Sequence, residues 1–243
     1  MAVVAHRGRS ADFPENSLSA FRAAIALGVD AIELDVRTTR DGELVVLHDP
    51  TLNRTTGARG RVSALTLAQI RALPPGADGS PAIPTLAEVL ALVRSAPVRL
   101  LLDIKQVDAR GRTRLVAMLD EAGLAGRAII GVRSASELRA FRSLAPKLRL
   151  LGFIPNRDTA ASFAAAGADA IRLWSSWLEG DPSKAAAAVA GVRGLGREVW
   201  IMVEERPAED LPMLTLRLQR LRSAGADAIV TDHPELLLRG IPH

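Results

Sequence analysis

The sequence predicts a single (β/α)8 TIM barrel of the α/β class, and two observations lead to this prediction. First, three segments resemble one another: AIALGVDAIEL (24–34), FAAAGADAIRL (163–173) and LRSAGADAIVT (221–231). Each joins a helix end, a glycine suited to a left-handed C-cap, an aspartate and a short apolar strand. Second, the 243 residues contain eight strand candidates separated by helical segments, which matches the usual size of this barrel.

Five further apolar runs complete the set of eight strands, at 2–6, 99–104, 128–132, 148–153 and 198–203. The predicted helices lie at 17–27, 85–95, 111–122, 135–144, 157–166, 182–194 and 208–223. Strands that alternate with helices indicate parallel βαβ units. A doubly wound open sheet is the alternative fold. It usually carries a G-x-G-x-x-G loop after its first strand, and HRGRSADFPEN does not have that pattern.

The connection after the second strand departs from this alternation. It contains the hairpin-type turn Asp41-Gly42, and residues 50–84 are rich in Thr, Gly and Pro. One short helical piece, TLAQIRAL (66–73), interrupts that segment. We interpret about 50–84 as a small insertion at the barrel mouth, within one domain that spans 1–243.

The composition narrows the class of partner. The chain has no cysteine, which excludes disulfides and thiolate chemistry. Its net charge is +4, with 28 Arg and 3 Lys, but no dense basic run is interleaved with aromatic residues, so nucleic acid binding has little support. A mildly basic protein suits an anionic small molecule.

No apolar run approaches the ~18 residues that cross a bilayer, and the N-terminus lacks a leader pattern, so we expect a cytoplasmic protein without stable membrane insertion.

Reactive side chains stand at the carboxyl ends of several apolar runs. They are His6 and Arg7 after AVVA, Glu33 and Asp35 in DAIELDV, His48 after LVVL, and Asp103 and Lys105 in LLLDIK. In a barrel these ends converge on the face that carries the active site. Residues at positions i and i+2 of a strand lie about 6.6 Å apart on the same face. Glu33 therefore points the same way as Asp35, and Asp103 points the same way as Lys105.

This combination indicates phosphoester chemistry. Three crowded carboxylates repel one another unless a cation lies among them, and oxygen ligands suit Mg²⁺ or Ca²⁺, with Mn²⁺ as a further possibility. Arg7 and Lys105 can then hold an anion such as phosphate. Two histidines can transfer protons near neutral pH.

Each group also has a purely structural interpretation. The carboxylates could pair with rim arginines, Asp103 could pair with Lys105, and HDP (48–50) could be only a turn. Two of the four histidines and one of the three lysines nevertheless lie at the same level of the predicted barrel. That coincidence favours a functional site over a set of unrelated structural contacts.

Longer segments resemble the glycerophosphodiester phosphodiesterases. The resemblance rests on HRG…PENSLSAF (6–21), AIELDVRTTRDGELVVLHDPTLNRTTG (31–57), IPTLAEVL (83–90), LLLDIK (100–105) and DAIVTDHPELL (227–237). It implies a TIM barrel with a small insertion after the second strand. It also implies divalent-metal-dependent hydrolysis of glycerophosphodiesters to sn-glycerol 3-phosphate and an alcohol.

The resemblance also implies roles for individual residues. His6 and His48 match the acid/base pair. The sequence does not give their order, and we favour His48 as the acid and His6 as the base. Arg7 and Lys105 match phosphate contacts, and Glu33, Asp35 and Asp103 match the metal ligands. Asp103 stands where these phosphodiesterases usually carry Glu and the related sphingomyelinase D enzymes carry Asp.

The seventh strand departs from the family pattern W-T-V-N. It reads WIMVEE (200–205), so Trp200 is retained and the polar positions are lost, while Glu204 and Glu205 follow beside the mouth. Trp200 and Trp174 are assigned to the substrate pocket, and His233 to the rim. Two alternative functions remain: a lysophospholipase D or sphingomyelinase-D-like phosphodiesterase, and a non-catalytic barrel that binds phosphorylated metabolites. The headgroup, the metal and the oligomeric state are left open.

Overall fold

Eight parallel strands close into a barrel in the computed structural model, which describes residues 1–180, 182–204, 206 and 209–238. The strands are β1 (Ala2–Ala5), β2 (Ala31–Thr38), β4 (Arg99–Gln106), β5 (Ala128–Val132), β6 (Arg149–Phe153), β7 (Ala170–Trp174), β8 (Glu198–Met202) and β9 (Ala228–Thr231), with β3 (Leu44–Val46) antiparallel to β2. Val4 in β1 pairs with Ala31 of β2 on one side and Val230 of β9 on the other, which closes the ring. The predicted (β/α)8 fold is therefore confirmed.

Helices surround the barrel in the predicted order. They are α1 (Leu18–Leu27), α2 (Asn53–Thr56), α3 (Leu67–Arg71), α4 (Leu86–Val93), α5 (Ala109–Glu121), α6 (Ala135–Leu144), α7 (Ala160–Ala165), α8 (Pro182–Gly194), α9 (Leu211–Ser223) and α10 (Glu235–Leu238). Helix α7 begins later than predicted because residues 157–159 form a 3-10 turn. The predicted start of the last long helix, residue 208, lies outside the described residues. Asp210 caps α9 by accepting the N–H of Met213.

The three similar segments share one hydrogen-bond arrangement at the amino-terminal end of the barrel. In the first, Gly28 adopts the left-handed conformation with φ 80°, and a carboxylate oxygen of Asp30 accepts the N–H of Val3 at 2.7 Å. In the other two segments, Gly167 and Gly225 have φ of 99° and 92°. The N–H of Leu150 donates to Asp169 Oδ2 and the N–H of Val199 donates to Asp227 Oδ2, both at 2.8 Å. The aspartate in each copy therefore satisfies a strand N–H at the position where helix gives way to strand.

The barrel strands alternate between an outer and an inner face. The outward residues pack against the helices, and the inward residues form a second core that includes Val4, Ala31, Leu101, Ile129, Leu151, Ala170, Trp200 and Ala228. Each inward row has a period of two residues. Toward the carboxyl ends the same rows continue into charged side chains, so the apolar core forms the floor of a polar mouth.

The segment after β3 packs a small core of its own. Leu47, Leu52, Val62, Ile70 and Ile83 form this core beside the barrel. The Asp41-Gly42 turn has φ 83° at Gly42 and connects the antiparallel strands β2 and β3, as predicted. The predicted piece TLAQIRAL contains α3, whose N-terminus is capped by Thr66. In the described ranges, no helix combines the length and the apolar character that crossing a bilayer demands.

Candidate active site

A cavity of about 630 Å³ opens at the carboxyl ends of the barrel strands. Six of the predicted site residues line it: His6, Arg7, His48, Asp103, Lys105 and Trp174. Glu33 and Asp35 lie beneath them and are almost completely buried, with 0% and 1% exposure. The structure therefore brings eight of the nine predicted side chains to one mouth.

Glu33, Asp35 and Asp103 form one carboxylate cluster. One oxygen of each lies within 4.8 Å of the others, because Asp35 of β2 and Asp103 of β4 are paired neighbours and Glu33 is two residues earlier on the same face. Glu33 Oε1 is buried and accepts no hydrogen bond from the described residues. A buried acceptor without a donor, next to two further carboxylates, fits a hard divalent cation with oxygen ligands.

The electrostatics of the cluster point the same way. Burial, followed by the charge of Asp35, raises the pKa of Glu33 to about 8. Burial also acts to raise the pKa of Asp35, but the charges of Lys105 and Arg7 outweigh it and hold that pKa below its ordinary value. For Glu33 the positive charges of His6 and Lys105 do not outweigh burial and the charge of Asp35, and a bound cation would supply the missing compensation.

Asp103 shares its oxygens with two cations. Lys105 Nζ lies 2.7 Å from Asp103 Oδ2 and 3.0 Å from Asp35 Oδ1. Arg133, at the end of β5, contacts both Asp103 oxygens, with Nη2 at 2.7 Å from Oδ2. Asp103 is thus already paired with both Lys105 and Arg133.

Arg7 lies over the cluster because the chain turns sharply after β1. Arg7 and Gly8 both have positive φ, at 54° and 84°. The Arg7 N–H donates to Glu33 Oε2 at 2.9 Å, and its guanidinium lies 3.3 Å from Asp35 Oδ2 and 3.0 Å from Glu15 Oε1. A single turn therefore places both a backbone donor and a cation on the acidic cluster.

His6 is held by a carboxylate from the opposite end of the chain. Its Nδ1 lies 2.8 Å from Asp232 Oδ1, beyond the end of β9, and its Nε2 lies 3.9 Å from Glu33 Oε2. Burial acts to lower the pKa of His6, but the hydrogen bond to Asp232 and the charge of Glu33 raise it to about 9. The hydrogen bond to Asp232 therefore favours the protonated form of His6.

His48 has the opposite tendency. Burial lowers its pKa below the ordinary value, although the charge of Asp35 and the hydrogen bond to Asp49, at 2.8 Å from His48 Nδ1, act to raise it. Asp49 and Glu15 are both bound by Arg54 of α2, with Nε–Oδ2 at 2.7 Å and Nη1–Oε2 at 2.6 Å. Arg54 thus links the carboxylate that orients His48 to the carboxylate that contacts Arg7.

Trp200 is the predicted pocket residue that the structure places elsewhere. Its ring lies in the inner barrel core, is 1% exposed, and donates from Nε1 to Glu198 Oε2 at 3.1 Å. Two positions further along β8, Met202 reaches the mouth instead. The geometry gives no support to a pocket role for Trp200. The pairing and alternation of β8 put it one layer below the site.

The remaining rim predictions have mixed outcomes. Trp174 lines the mouth at the end of β7. His233 lies beyond β9, where its Nδ1 is 3.1 Å from Glu235 Oε1. Glu204 lines the mouth and accepts the N–H of Ser176 at 2.9 Å. Glu205 lies outside the described residues.

Sequence reasoning did not single out Asp232, Arg133, Arg172 or Asn16. Asn16 donates to Asp35 Oδ2 at 2.7 Å and belongs to the quoted PEN stretch. The three similar segments contained the signal for two of the others. When they are superimposed, Arg172 occupies the position of Glu33, and Asp232 occupies that of Asp35. The same inward row therefore carries the polar residues in each copy.

The fold and the site define a class of protein. A parallel barrel with a buried carboxylate cluster that could hold a metal ion, flanking arginine and lysine, and two histidines at its carboxyl-end mouth has the side chains that phosphoester-cleaving barrels use. The chain belongs to the glycerophosphoryl diester phosphodiesterase family, whose model matches residues 6–236.

Individual relatives agree with this membership. The chain is 32% identical over 245 residues to a glycerophosphodiester phosphodiesterase of Caldanaerobacter subterraneus subsp. tengcongensis, covering 97% of this chain and 96% of that one. It is 37% identical over 193 residues to the "Probable glycerophosphodiester phosphodiesterase 1" of Mycobacterium tuberculosis, covering 70% of each. An Oleispira antarctica phosphodiesterase, solved with the product sn-glycerol-3-phosphate, superimposes with a TM-score of 0.81 at 21% identity, over 98% of this chain and 96% of that one.

Proposed function

We propose that this protein hydrolyses glycerophosphodiesters to sn-glycerol 3-phosphate and an alcohol, with a divalent cation held by Glu33, Asp35 and Asp103. Family membership supports the reaction class. The observation that carries the proposal is the convergence of the buried carboxylate cluster with two histidines at one mouth. The product complex of the Oleispira antarctica relative, which shares the fold, is consistent with it.

The cation would serve to polarise the phosphodiester and neutralise charge on its oxygens. Arg7 and Lys105 then stabilise the negative charge that develops at phosphorus. Both already lie within 3.3 Å of Asp35 oxygens, so little reorganisation is needed during the reaction. Mg²⁺, Ca²⁺ and Mn²⁺ are the ions that the oxygen ligands suit.

The two histidines carry out the proton transfers. One takes a proton from the attacking oxygen as that oxygen bonds to phosphorus. Attack by water gives sn-glycerol 3-phosphate directly, whereas attack by the glycerol 2-hydroxyl gives a cyclic phosphodiester that a water molecule must then open. The other gives a proton to the departing alcohol oxygen as its bond to phosphorus breaks. The hydrogen bond to Asp232, which does not depend on the charge of Glu33, favours the protonated form of His6, and burial favours the neutral form of His48. We therefore propose His6 as the acid and His48 as the base, the reverse of the order first favoured.

A coupled assay for sn-glycerol 3-phosphate over a headgroup panel, with and without EDTA, tests the function. We expect release with added Mg²⁺, Ca²⁺ or Mn²⁺ and none with EDTA. Absence of product from every diester under all three metals would favour a non-catalytic binding barrel instead. Faster cleavage of a lysophospholipid than of any glycerophosphodiester would favour the lysophospholipase D alternative.

The histidine roles have a separate test. His6→Ala and His48→Ala should each lower turnover by roughly 10²–10⁴-fold. A substrate whose leaving group is p-nitrophenol needs no proton from an acid, so it should restore turnover in the variant that lacks the acid. Recovery in His6→Ala alone supports the proposed order, and recovery in His48→Ala alone reverses it.

A further inference from the structure

The wall of the mouth opposite the carboxylate cluster carries a second cationic group. Arg172 projects inward from β7, and β7 lies four strands from β2 in either direction around the ring of eight. Its side chain lines the cavity although the residue is only 5% exposed. Arg133 lines the same cavity from β5.

Arg172 differs from the other cations of the mouth because its guanidinium has no polar partner among the described residues. Its Nε and Nη1 atoms are buried without a hydrogen bond, and no described carboxylate lies within ion-pair distance of it. Arg7, Lys105 and Arg133, by contrast, each contact carboxylates. Asp103 and Glu204 favour its charge only from a greater distance.

The charge on Arg172 persists at neutral pH. Burial, then the charge of Arg133, lowers its pKa to about 9, which still leaves the guanidinium protonated at pH 7. Burying a charge without an ion-pair partner costs desolvation free energy. Because this charge lies beside an open cavity, an anion that enters the cavity can offset that cost. Planar guanidinium N–H groups recognise carboxylate and phosphate oxygens particularly well.

The aromatic rings of this wall are covered by the same arginines. The Arg172 guanidinium carbon lies 3.7 Å from the Trp174 ring centre and 5.2 Å from that of Phe153, while the Arg133 carbon lies 5.0 Å from the Phe153 centre. Gly131 makes room for this arrangement, since a Cβ there would be 2.2 Å from the Phe153 ring. Faces that could hold a quaternary ammonium are therefore occupied by protein cations.

We propose that Arg172, assisted by Arg133, forms a second anion site that selects glycerophosphodiesters whose leaving alcohol carries an additional carboxylate or phosphate. The proposal rests on the proposed function and specifies its substrate class. The reacting phosphate lies over the carboxylate cluster beside Arg7 and Lys105. The alcohol then extends across the mouth to the β7 wall, where the Arg172 side chain lines the cavity and no described carboxylate forms an ion pair with it. A cationic headgroup such as choline meets two guanidiniums there and is disfavoured.

Matched substrates test this selection on the wild-type protein. Glycerophosphoglycerol, its terminal phosphate ester and glycerophosphoglycerate differ only at the far end of the headgroup, which is neutral, a phosphate or a carboxylate. Glycerophosphocholine supplies the cationic comparison. Charge-assisted hydrogen bonds of this kind correspond to about a tenfold to hundredfold advantage in kcat/KM for an anionic headgroup. The two anionic substrates show which anion is preferred.

Variants of Arg172 then locate the selection. Arg172→Met retains an apolar stem but removes the charge, and should abolish the advantage of the anionic substrates mainly through KM, because the headgroup charge does not change during the reaction. It should also raise kcat/KM for glycerophosphocholine several-fold, since the Trp174 face is uncovered. Arg172→Lys should keep part of the anion preference. Arg22→Met, a 54%-exposed side chain on α1, controls for loss of one positive charge.

Each outcome decides a different point. An equal loss for all four substrates in Arg172→Met would overturn the proposal and assign Arg172 to the reacting phosphate. No anionic preference in the wild type would also overturn it, whether or not the variant folds. If the wild type released no sn-glycerol 3-phosphate from any of the four substrates, the proposed function itself would fail. Those outcomes are distinguishable.

Discussion

Glu33 combines complete burial with a carboxylate oxygen that has no donor among the described residues. Its pKa of about 8 means that the folded protein, without a cation, keeps a proton there which the unfolded chain releases above about pH 4.5. A group whose folded pKa is raised by burial binds more protons in the native state than in the unfolded state, so stability falls as pH rises between those two values. This single side chain therefore makes the cation-free protein lose stability as the pH rises from about 4.5 to about 8.

Glu33→Gln should remove that sensitivity, because glutamine resembles the protonated acid. In EDTA, we expect the variant and the wild type to melt together near pH 5, and the variant to become more stable by a few kcal/mol above pH 8. Thermal unfolding across pH 5–9 measures the difference. Glu121→Gln, at an exposed position of α5, should follow the wild type. Parallel curves for Glu33→Gln and the wild type would contradict the prediction.

Gly8 allows the turn that places Arg7 over the carboxylates. It has φ 84°, and a Cβ there would lie 2.7 Å from the Ala20 Cβ on α1. Gly8→Ala should therefore introduce both backbone strain and a steric overlap with α1.

Gly42→Ala provides the matched comparison, since Gly42 has nearly the same φ of 83° but a Cβ at that position would meet no other atom within 4 Å. Each alanine should cost about 1 kcal/mol for its backbone conformation, and Gly8→Ala a further ~1–3 kcal/mol for the overlap. Urea unfolding gives both values. Equal losses of unfolding free energy in the two variants would show that α1 shifts to accommodate the added methyl group at no cost.

At the scale of elements, the short helix α2 connects the two sides of the mouth. Arg54 from this helix binds both Asp49 and Glu15, which in turn contact His48 and Arg7. Although Arg54 itself is half-exposed, it fixes the two carboxylates that contact His48 and Arg7, for which we propose roles in proton transfer and phosphate binding. We regard it as a positioning residue.

Arg54→Ala should lower kcat by about tenfold with little change in KM, because His48 loses its fixed orientation while the substrate contacts remain. The pH profile of kcat should also shift, since Asp49 loses its partner, and Arg54→Lys should restore part of the activity. Arg59→Ala, an exposed arginine in the same insertion, serves as the control. A loss of stability without a shifted pH profile would reduce Arg54 to a structural role.

At the scale of the whole molecule, cation binding and stability are linked. A ligand that binds only the folded state raises stability by RT ln(1 + [L]/Kd). Because Glu33 must lose its proton to bind a cation, the rise in melting temperature with Mn²⁺ or Ca²⁺ should be larger at pH 8 than at pH 6. Glu33→Gln should show a much smaller rise at both pH values, and an equal rise would place the ion elsewhere.

Much of this architecture could be predicted from the sequence. Strand and helix order followed from the alternation of apolar runs, and the cluster of Glu33, Asp35 and Asp103 followed from their common level on neighbouring strands. The pairing of His6 with Asp232 could not, because it depends on which strand closes the ring. Trp200 was assigned one layer too high, since a family motif does not specify the depth of a side chain in this barrel. Arg172 was missed although the similar segments place it at the position of Glu33, and its lack of a hydrogen-bond partner depends on tertiary contacts that the sequence does not show.

The closing contact between His6 and Asp232 joins positions 226 residues apart. During translation, at about 5–20 residues per second, the first strand leaves the ribosome on the order of tens of seconds before its last neighbour exists. A nascent chain thus displays the acidic strands and His6 without the carboxylate that orients His6. We therefore expect His6 to reach the orientation described above only once the last strand has paired with the first.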